Sequence, residues 1–463
     1  MLATEGRLVW FRVAMAGVVA ATVVDRLGVL ECFFSDAGIL PVDAWREETG
    51  GGLLLWVVVP HAWSGSLAWQ GLLSGAQLVL AWTTAATSSA TTTLWRRLCT
   101  VALSLWLYAS ATLRFVSSAY ILDRYVLVEL LFLACAPSAE IWEETAAWSF
   151  LWRAQLSWIY LDAGLTKLGG PGWTADADLP AVDAYLRHTF AADVLRRYVL
   201  SPRALRLATP AVPWVEILAP NIAHAASLLR PRRVAFFIEV AAIAAVIALH
   251  VGVALCMNGA GLLGVAACAA WVPLLPDGEE EMTIARHHTH PPQQRRRRWS
   301  PGAFLRIATL VAYVGACATF ALQGRHQCVD AKAAPFATLF HNRWNVFAGS
   351  DDTIVFEIMP ARLRDGNVVD LWRRGDPVSW DVPARAPRRG RWRTFPMIGQ
   401  ADAPPDRLNA TYFYFCHEWN SRASVRRNDS LQVLHFHAYM LRSSIFDTAN
   451  VTKRLLHVQR CVF

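Results

Sequence analysis

The chain has 463 residues, of which 54% are hydrophobic, with 21 Trp and a formal net charge of +8. So apolar a composition excludes an ordinary soluble globule. It contains no Walker loop, no dinucleotide fingerprint after a strand and no paired CxxC motif, and nothing in it points to a nucleic-acid partner. Most of the excess positive charge lies beyond residue 325.

In chain order, the hydropathy pattern predicts a polytopic α-helical membrane protein of about nine spans over residues 1–325, followed by a β-rich lumenal domain over 326–463. Met1–Phe34 reads as an uncleaved first span, because Arg12, Asp25 and Arg26 interrupt its apolar run and no small-residue cleavage site follows. Further spans are expected near 66–91, 98–119 and 124–138, with a fifth in Leu151–Trp173. Residues 174–210 are too polar to cross a bilayer and read as an interfacial helical insert. The remaining spans are expected near 212–229 and 234–256, in a run ending at Pro276, and near 302–324. Several of these runs approach the roughly 20 apolar residues that a bilayer helix needs.

Arg96/Arg97, Arg230/Arg232/Arg233 and Arg295–Arg298 fall in alternate loops. With nine spans, that puts the N-terminus in the cytosol and the C-terminal region in the lumen. Sequons at Asn409, Asn428 and Asn450 agree, since glycosylation acceptors are used only there. In the lumenal region, TIVFEIMPARL and NVVDLW flank Asp365-Gly366 and predict a hairpin. ATYFYFCHEW and LQVLHFHAYML add two more alternating runs. Cys328, Cys416 and Cys461 predict one disulfide and an odd thiol, with the pairing open. The basic run Arg385, Arg388, Arg389, Arg391 and Arg393 reads as a solvated loop or as an attractor for an acidic peptide. RHHTH at 286–290 reads as solvated linker, and no metal is expected.

The chemistry concentrates in Leu151–Trp173. At 100° per residue, Arg153, Ser157, Tyr160, Gly164 and Lys167 share one face, and Gln155, Asp162 and Thr166 the opposite one. A helix polar on two sides must sit between other helices or line a cavity. Lys167, Lys332 and Lys453 are the only lysines among 44 basic residues. A desolvated lysine can lose its proton and act as a base, which arginine cannot; a lysine at a helix end also serves as a snorkelling anchor. In the 234–256 run, Glu239 and His250 lie on one face, and His250 is a second candidate.

Several of these segments resemble a known family. FRVAMAGVVAATVVDRLGVLECFFSDAGILP resembles the opening of the HTTM (horizontally transferred transmembrane) domain. RAQLSWIYLDAGLTKLGGPGW resembles the signature of vitamin K-dependent gamma-carboxylases, and LHVGVALCMNGAGLLGVAACAAWVPLLP the family's later His-containing span. HNRWNVFAGS and the hairpin ending in DGNVVDLW resemble the start of its lumenal domain, so the ordered set covers nearly the whole chain. The resemblance implies a γ-glutamyl carboxylase-like enzyme of the endoplasmic reticulum. Its Lys167 would deprotonate vitamin K hydroquinone or a related quinol; with oxygen and carbon dioxide as substrates, an epoxide forms while a peptide Glu gains a carboxyl.

The same resemblance implies His250 and Arg124 as further catalytic residues and Arg153, Tyr160, Gly164 and Trp173 as quinone contacts. The implied partners are a membrane quinone and a Glu-rich secreted peptide. Asp123-Arg124-Tyr125-Val126-Leu127 stands where carboxylases carry Asn-His-x-x-Leu, and Thr166 where animal members have a second Lys. Arg124 cannot replace a neutral imidazole but is suited to stabilising an oxyanion. The long lumenal extension with which animal carboxylases hold a propeptide is not in the sequence. The alternative is a non-catalytic HTTM-domain membrane protein that binds a lipid or a protein partner.

Overall fold

The computed structural model describes the chain except residues 1, 50–57, 87–93, 115–120, 138–141, 175, 188–201, 230–231, 258–259, 277–299, 324–352, 384–386, 389, 395–404, 446, 448 and 462–463. RHHTH, Arg295–Arg298, Cys328, HNRWNVFAGS, Arg385 and Arg389 therefore lie outside the described residues. The helical part runs α1 (Leu2–Leu27), α2 (Leu30–Phe34), α3 (Val42–Thr49), α4 (Leu67–Ala86), α5 (Leu94–Arg114) and α6 (Ile121–Ala134). It continues through α7 (Trp142–Leu168), α8 (Ala181–Arg187), α9 (Pro202–Leu228), α10 (Arg232–Cys256), α11 (Gly261–Trp271) and α12 (Pro301–Gln323).

Each apolar run of the sequence does become a helix, yet the nine-span reading does not hold. Among the described residues, two helical segments, Gly6–Leu27 and Arg233–Cys256, are long and apolar enough to cross a membrane. The others fall short for physical reasons. Helix α6 has 14 residues, a length of about 21 Å. Helix α7 carries Glu143, Glu144, Arg153, Asp162 and Lys167, and α9 contains Pro210, Pro213 and Pro220. Much of the apolarity serves helix-on-helix packing instead: Phe11, Val19, Tyr108, Phe132, Trp152 and Trp271 belong to one buried cluster. The two apolar segments expose Trp10, Val24, Val234, Phe237 and Leu255, an apolar surface of the kind that a membrane-associated chain presents. Of the expected insert at 174–210, residues 181–187 form α8 and 202–210 begin α9.

The C-terminal part contains β1 (Thr353–Ile358), β2 (Pro360–Leu363), β3 (Val368–Asp370), α13 (Pro405–Asn420), α14 (Ala423–Arg427), β4 (Val433–Ser444) and β5 (Val451–Arg460). The expected Asp365-Gly366 turn joins β2 to β3, with Gly366 at φ 92, a left-handed conformation that suits glycine. Strand β4 organises the sheet: β1 and β2 pair with its two halves and β5 with its other edge, all antiparallel. ATYFYFCHEW is not a strand but most of α13. Tyr412, Phe415, Cys416 and Trp419 recur at helical spacing and face the core, a period that the local alternation obscured. Cys416 and Cys461 are disulfide-bonded, with Cα atoms 5.4 Å apart, which ties α13 to the end of β5.

The two parts share a core. Phe33, Ile39 and Trp45 pack in one cluster with Trp372, Trp392 and Phe415. At its edge the buried Asp123 carboxylate, in the first turn of α6, accepts from Arg26 Nη2 at 2.8 Å and Tyr108 Oη at 2.9 Å. It also accepts from both terminal nitrogens of Arg391, at 2.9 and 3.0 Å. Arg388 is equally buried, paired with Glu418 at 2.7 Å and lying 4.5 Å from the centroid of the Trp392 ring. These two arginines are thus interior pins rather than a solvated loop or a peptide attractor.

One buried group makes stability pH-dependent. Glu357 of β1 is 4% exposed, and burial pushes its carboxyl up from 4.5 to about 8. Between those values the unfolded chain releases this proton and the folded chain keeps it, so stability falls as pH rises from 4.5 to about 8 and levels off above. Glu357→Gln is expected to remove that slope, worth about a few kcal/mol in all. Thermal unfolding of wild type and variant at pH 5 and pH 8 checks it; parallel shifts in both proteins would contradict the assignment.

Candidate functional site

Helix α7 is held against α9 at Gly164. A Cβ there would stand 2.5 Å from Ile217 Cγ1 and 2.8 Å from the Pro213 carbonyl oxygen, so only glycine permits this approach. The close approach brings the next turn of α7 level with the middle of α9. Lys167 Nζ consequently meets both carboxyl oxygens of Glu216, at 2.8 and 2.9 Å, and lies 5.7 Å from the Trp173 ring centroid. The lysine side chain is only 3% exposed.

About two turns back along α7, the Tyr160 hydroxyl lies 2.6 Å from His250 Nε2 of α10. Helix α10 is set by its contact with α11, where a Cβ on Gly264 would approach the His250 carbonyl oxygen to 3.1 Å. Both pairs line one cavity of about 70 Å³, whose remaining wall includes Ile121, Tyr125, Ile159, Leu249 and Val253. The cavity is therefore apolar, with one ion pair and one phenol–imidazole pair. Within such a wall a fixed charge acts on a guest far more strongly than in water.

Of the residues singled out by the sequence, the structure brings Lys167, Tyr160 and His250 together at this cavity. Gly164 contributes helix packing rather than a ligand contact, and Trp173 flanks the lysine without lining the cavity. Arg153 points elsewhere: it pairs with Glu239 at 2.6 Å and donates to the Leu274 carbonyl at 3.0 Å. Arg124 is also absent from the cavity wall, because Ile121 and Tyr125, four residues apart, own the face of α6 that meets it. Asn409, Asn428 and Asn450 are all exposed.

Two participants were missed. Glu216 is the only acidic residue in α9, a signal that the sequence did carry. Nothing in the sequence around Arg124 singles out Tyr125, which lines the cavity. Among the described residues no group of three or more His, Cys, Asp or Glu is arranged to hold a metal ion. No family model, no curated protein and no solved structure matches the chain.

Gly164→Ala tests the packing that builds the site. The added methyl is expected to push α7 from α9, cost about 1–3 kcal/mol of stability and loosen the Lys167–Glu216 pair. Unfolding measurements on the purified variant check this; wild-type stability would show that the helices are not in contact there.

Proposed function

We propose that the chain is a membrane-associated enzyme that takes the hydroxyl proton from a lipophilic quinol, vitamin K hydroquinone or a relative, as the opening step of γ-glutamyl carboxylase-like chemistry. The observation that carries this reading is the convergence of the Tyr160–His250 and Lys167–Glu216 pairs on one apolar cavity. Apolar walls suit the ring of a quinol, and the two polar pairs suit its hydroxyl. About 70 Å³ holds the reacting edge rather than a whole lipid quinone, since pockets that enclose a ligand run to roughly 300 Å³ or more.

The quinol supplies the reducing power; the chain supplies proton transfer and charge. Tyr160 accepts the hydroxyl proton on its oxygen as its own proton passes to His250 Nε2, so the phenol is neutral before and after. The Lys167 ammonium, positioned by Glu216, faces the negative charge left behind. Lys167 is assigned the charge-stabilising role and Tyr160 the proton, because Glu216 engages the amine through both oxygens while Tyr160 and His250 already form a relay. The exposed sequon asparagines and the Cys416–Cys461 disulfide support a C-terminal domain in the lumen of the endoplasmic reticulum. There, a Glu-rich secreted peptide is the partner this chemistry requires.

A second reading has its own support. The ion pair fills much of the space beside Lys167, as it would in a non-catalytic scaffold that binds a lipid or a protein partner. Purified protein incubated with reduced vitamin K, a Glu-rich peptide and labelled bicarbonate separates the two. The enzyme reading expects epoxide and labelled peptide, with N-glycan removal shifting the mobility of the same preparation. Tyr160→Phe and His250→Gln are expected to lower quinol oxidation by about 100-fold or more. Lys167→Arg should retain a measurable fraction and Lys167→Ala none. Oxidation at the wild-type rate in Tyr160→Phe would overturn the proton path; no quinol oxidation by the wild type would favour the scaffold.

A further inference from the structure

Glu129, in the middle of α6, is fully buried. Neither of its carboxyl oxygens has a hydrogen-bond partner among the described residues. Gln155 of α7 is buried in the same way, with neither its amide oxygen nor its amide nitrogen bonded. Buried polar groups in folded proteins are almost always satisfied, so two such side chains call for an explanation.

Their places in the fold supply one. Contacts at Phe132–Trp148 and Phe132–Trp152 at one end, and Tyr125 with Tyr160 at the other, show that α6 and α7 run in opposite directions and fix their register. Trp148 Nε1 donates to the Phe132 carbonyl at 2.9 Å, and the Phe132 and Trp152 rings lie 4.5 Å apart. Carried one turn further along each helix, that register predicts Glu129 level with Gln155. Another turn on, Tyr125 and Tyr160 meet at the cavity. Glu129 and Tyr125 are four residues apart on one face of α6. A polar step therefore lies between an aromatic floor and the proton-transfer site.

We propose that Glu129 and Gln155 form a buried, water-bridged proton store that exchanges its proton with the cavity through Tyr125. The proposal deepens the quinol reading and rests on the cavity doing proton chemistry. An ionised carboxylate without a partner in an apolar core is far costlier than the neutral acid, so Glu129 rests as a carboxylic acid. Water between the acid and the Gln155 amide satisfies the donors and acceptors of both. When negative charge forms in the cavity, the Glu129 proton passes to the bridging water, that water gives a proton to the Tyr125 oxygen, and the Tyr125 proton moves to the cavity acceptor. The phenol is unchanged, the cavity gains one proton and Glu129 is left as carboxylate. The reverse transfer restores the resting state.

Infrared spectra of the purified full chain in light and heavy water, at neutral pH and without any quinol, test this directly. Glu357→Gln serves as the background, since that residue also holds a proton near neutrality. A protonated-carboxyl band that shifts in heavy water is expected, and Glu129→Gln should abolish it. Tyr125→Phe should keep the band but slow its deuterium exchange by roughly tenfold or more, as loss of a relay group does. Gln155→Leu should move the band by removing one side of the hydrogen-bonded bridge, a readout that stands even if Glu129→Gln fails to fold. A band that survives Glu129→Gln, or one unmoved by Gln155→Leu, overturns the store; unchanged exchange in Tyr125→Phe overturns the path. The quinol reading fails separately: a Glu129 band in a protein with no quinol oxidation leaves the store standing and removes its use in that chemistry.

Discussion

The Asp123 carboxylate is the point on which the architecture depends. It is fully buried and gathers Arg26 from α1, Tyr108 from α5 and Arg391 from the C-terminal part. An isolated carboxylate or guanidinium in such a place would cost several kcal/mol, so each group is tolerable only while the others are present. Asp123 also sits in the first turn of α6, where a negative charge favours the helix N-terminus. Fixing the start of α6 fixes what the helix carries further along: Tyr125 at the cavity wall and Glu129 below it. A contact between the two ends of the chain thus sets one wall of the candidate site.

The aromatic cluster around Arg388 extends the same logic. Its guanidinium donates to the Trp372 and Leu371 carbonyls, pairs with Glu418 and lies among the Trp372, Trp392 and Phe415 rings. Phe33 packs on Trp392 at 4.9 Å, which carries the cluster across to α2. Arginine suits this role better than lysine, because a planar cation both stacks on rings and forks onto a carboxylate.

The sequence made the helices legible but not their surroundings. An apolar run looks the same whether lipid or another helix covers it, so the runs were found and the count of spans was overdrawn. The shared face of Tyr160, Gly164 and Lys167 came directly from helical periodicity, and His250 from being an ionisable residue in an apolar run. Glu216 and Tyr125 reach the site only through tertiary packing. Arg388 and Arg391 looked solvated because their partners, Glu418 and Asp123, lie 30 and 268 residues away. Strand β5, mostly exposed and rich in charge, has no apolar alternation to announce it; it exists because β4 offers an edge to pair with. Helix α13 was misread because aromatic residues crowd both a strand-like and a helix-like period over ten residues.

A double-mutant cycle on Asp123→Asn and Arg391→Met, read by unfolding of the purified protein in mild detergent, tests the docking of the two parts most directly. Each single substitution strands a buried charge and should cost about 3–5 kcal/mol. If the two side chains meet as the structure has them, the double variant loses less than the sum, with a coupling of at least about 1 kcal/mol. Costs that add to within about 0.5 kcal/mol would show that Arg391 and Asp123 do not touch, and that the C-terminal part is not anchored to the helices through this carboxylate.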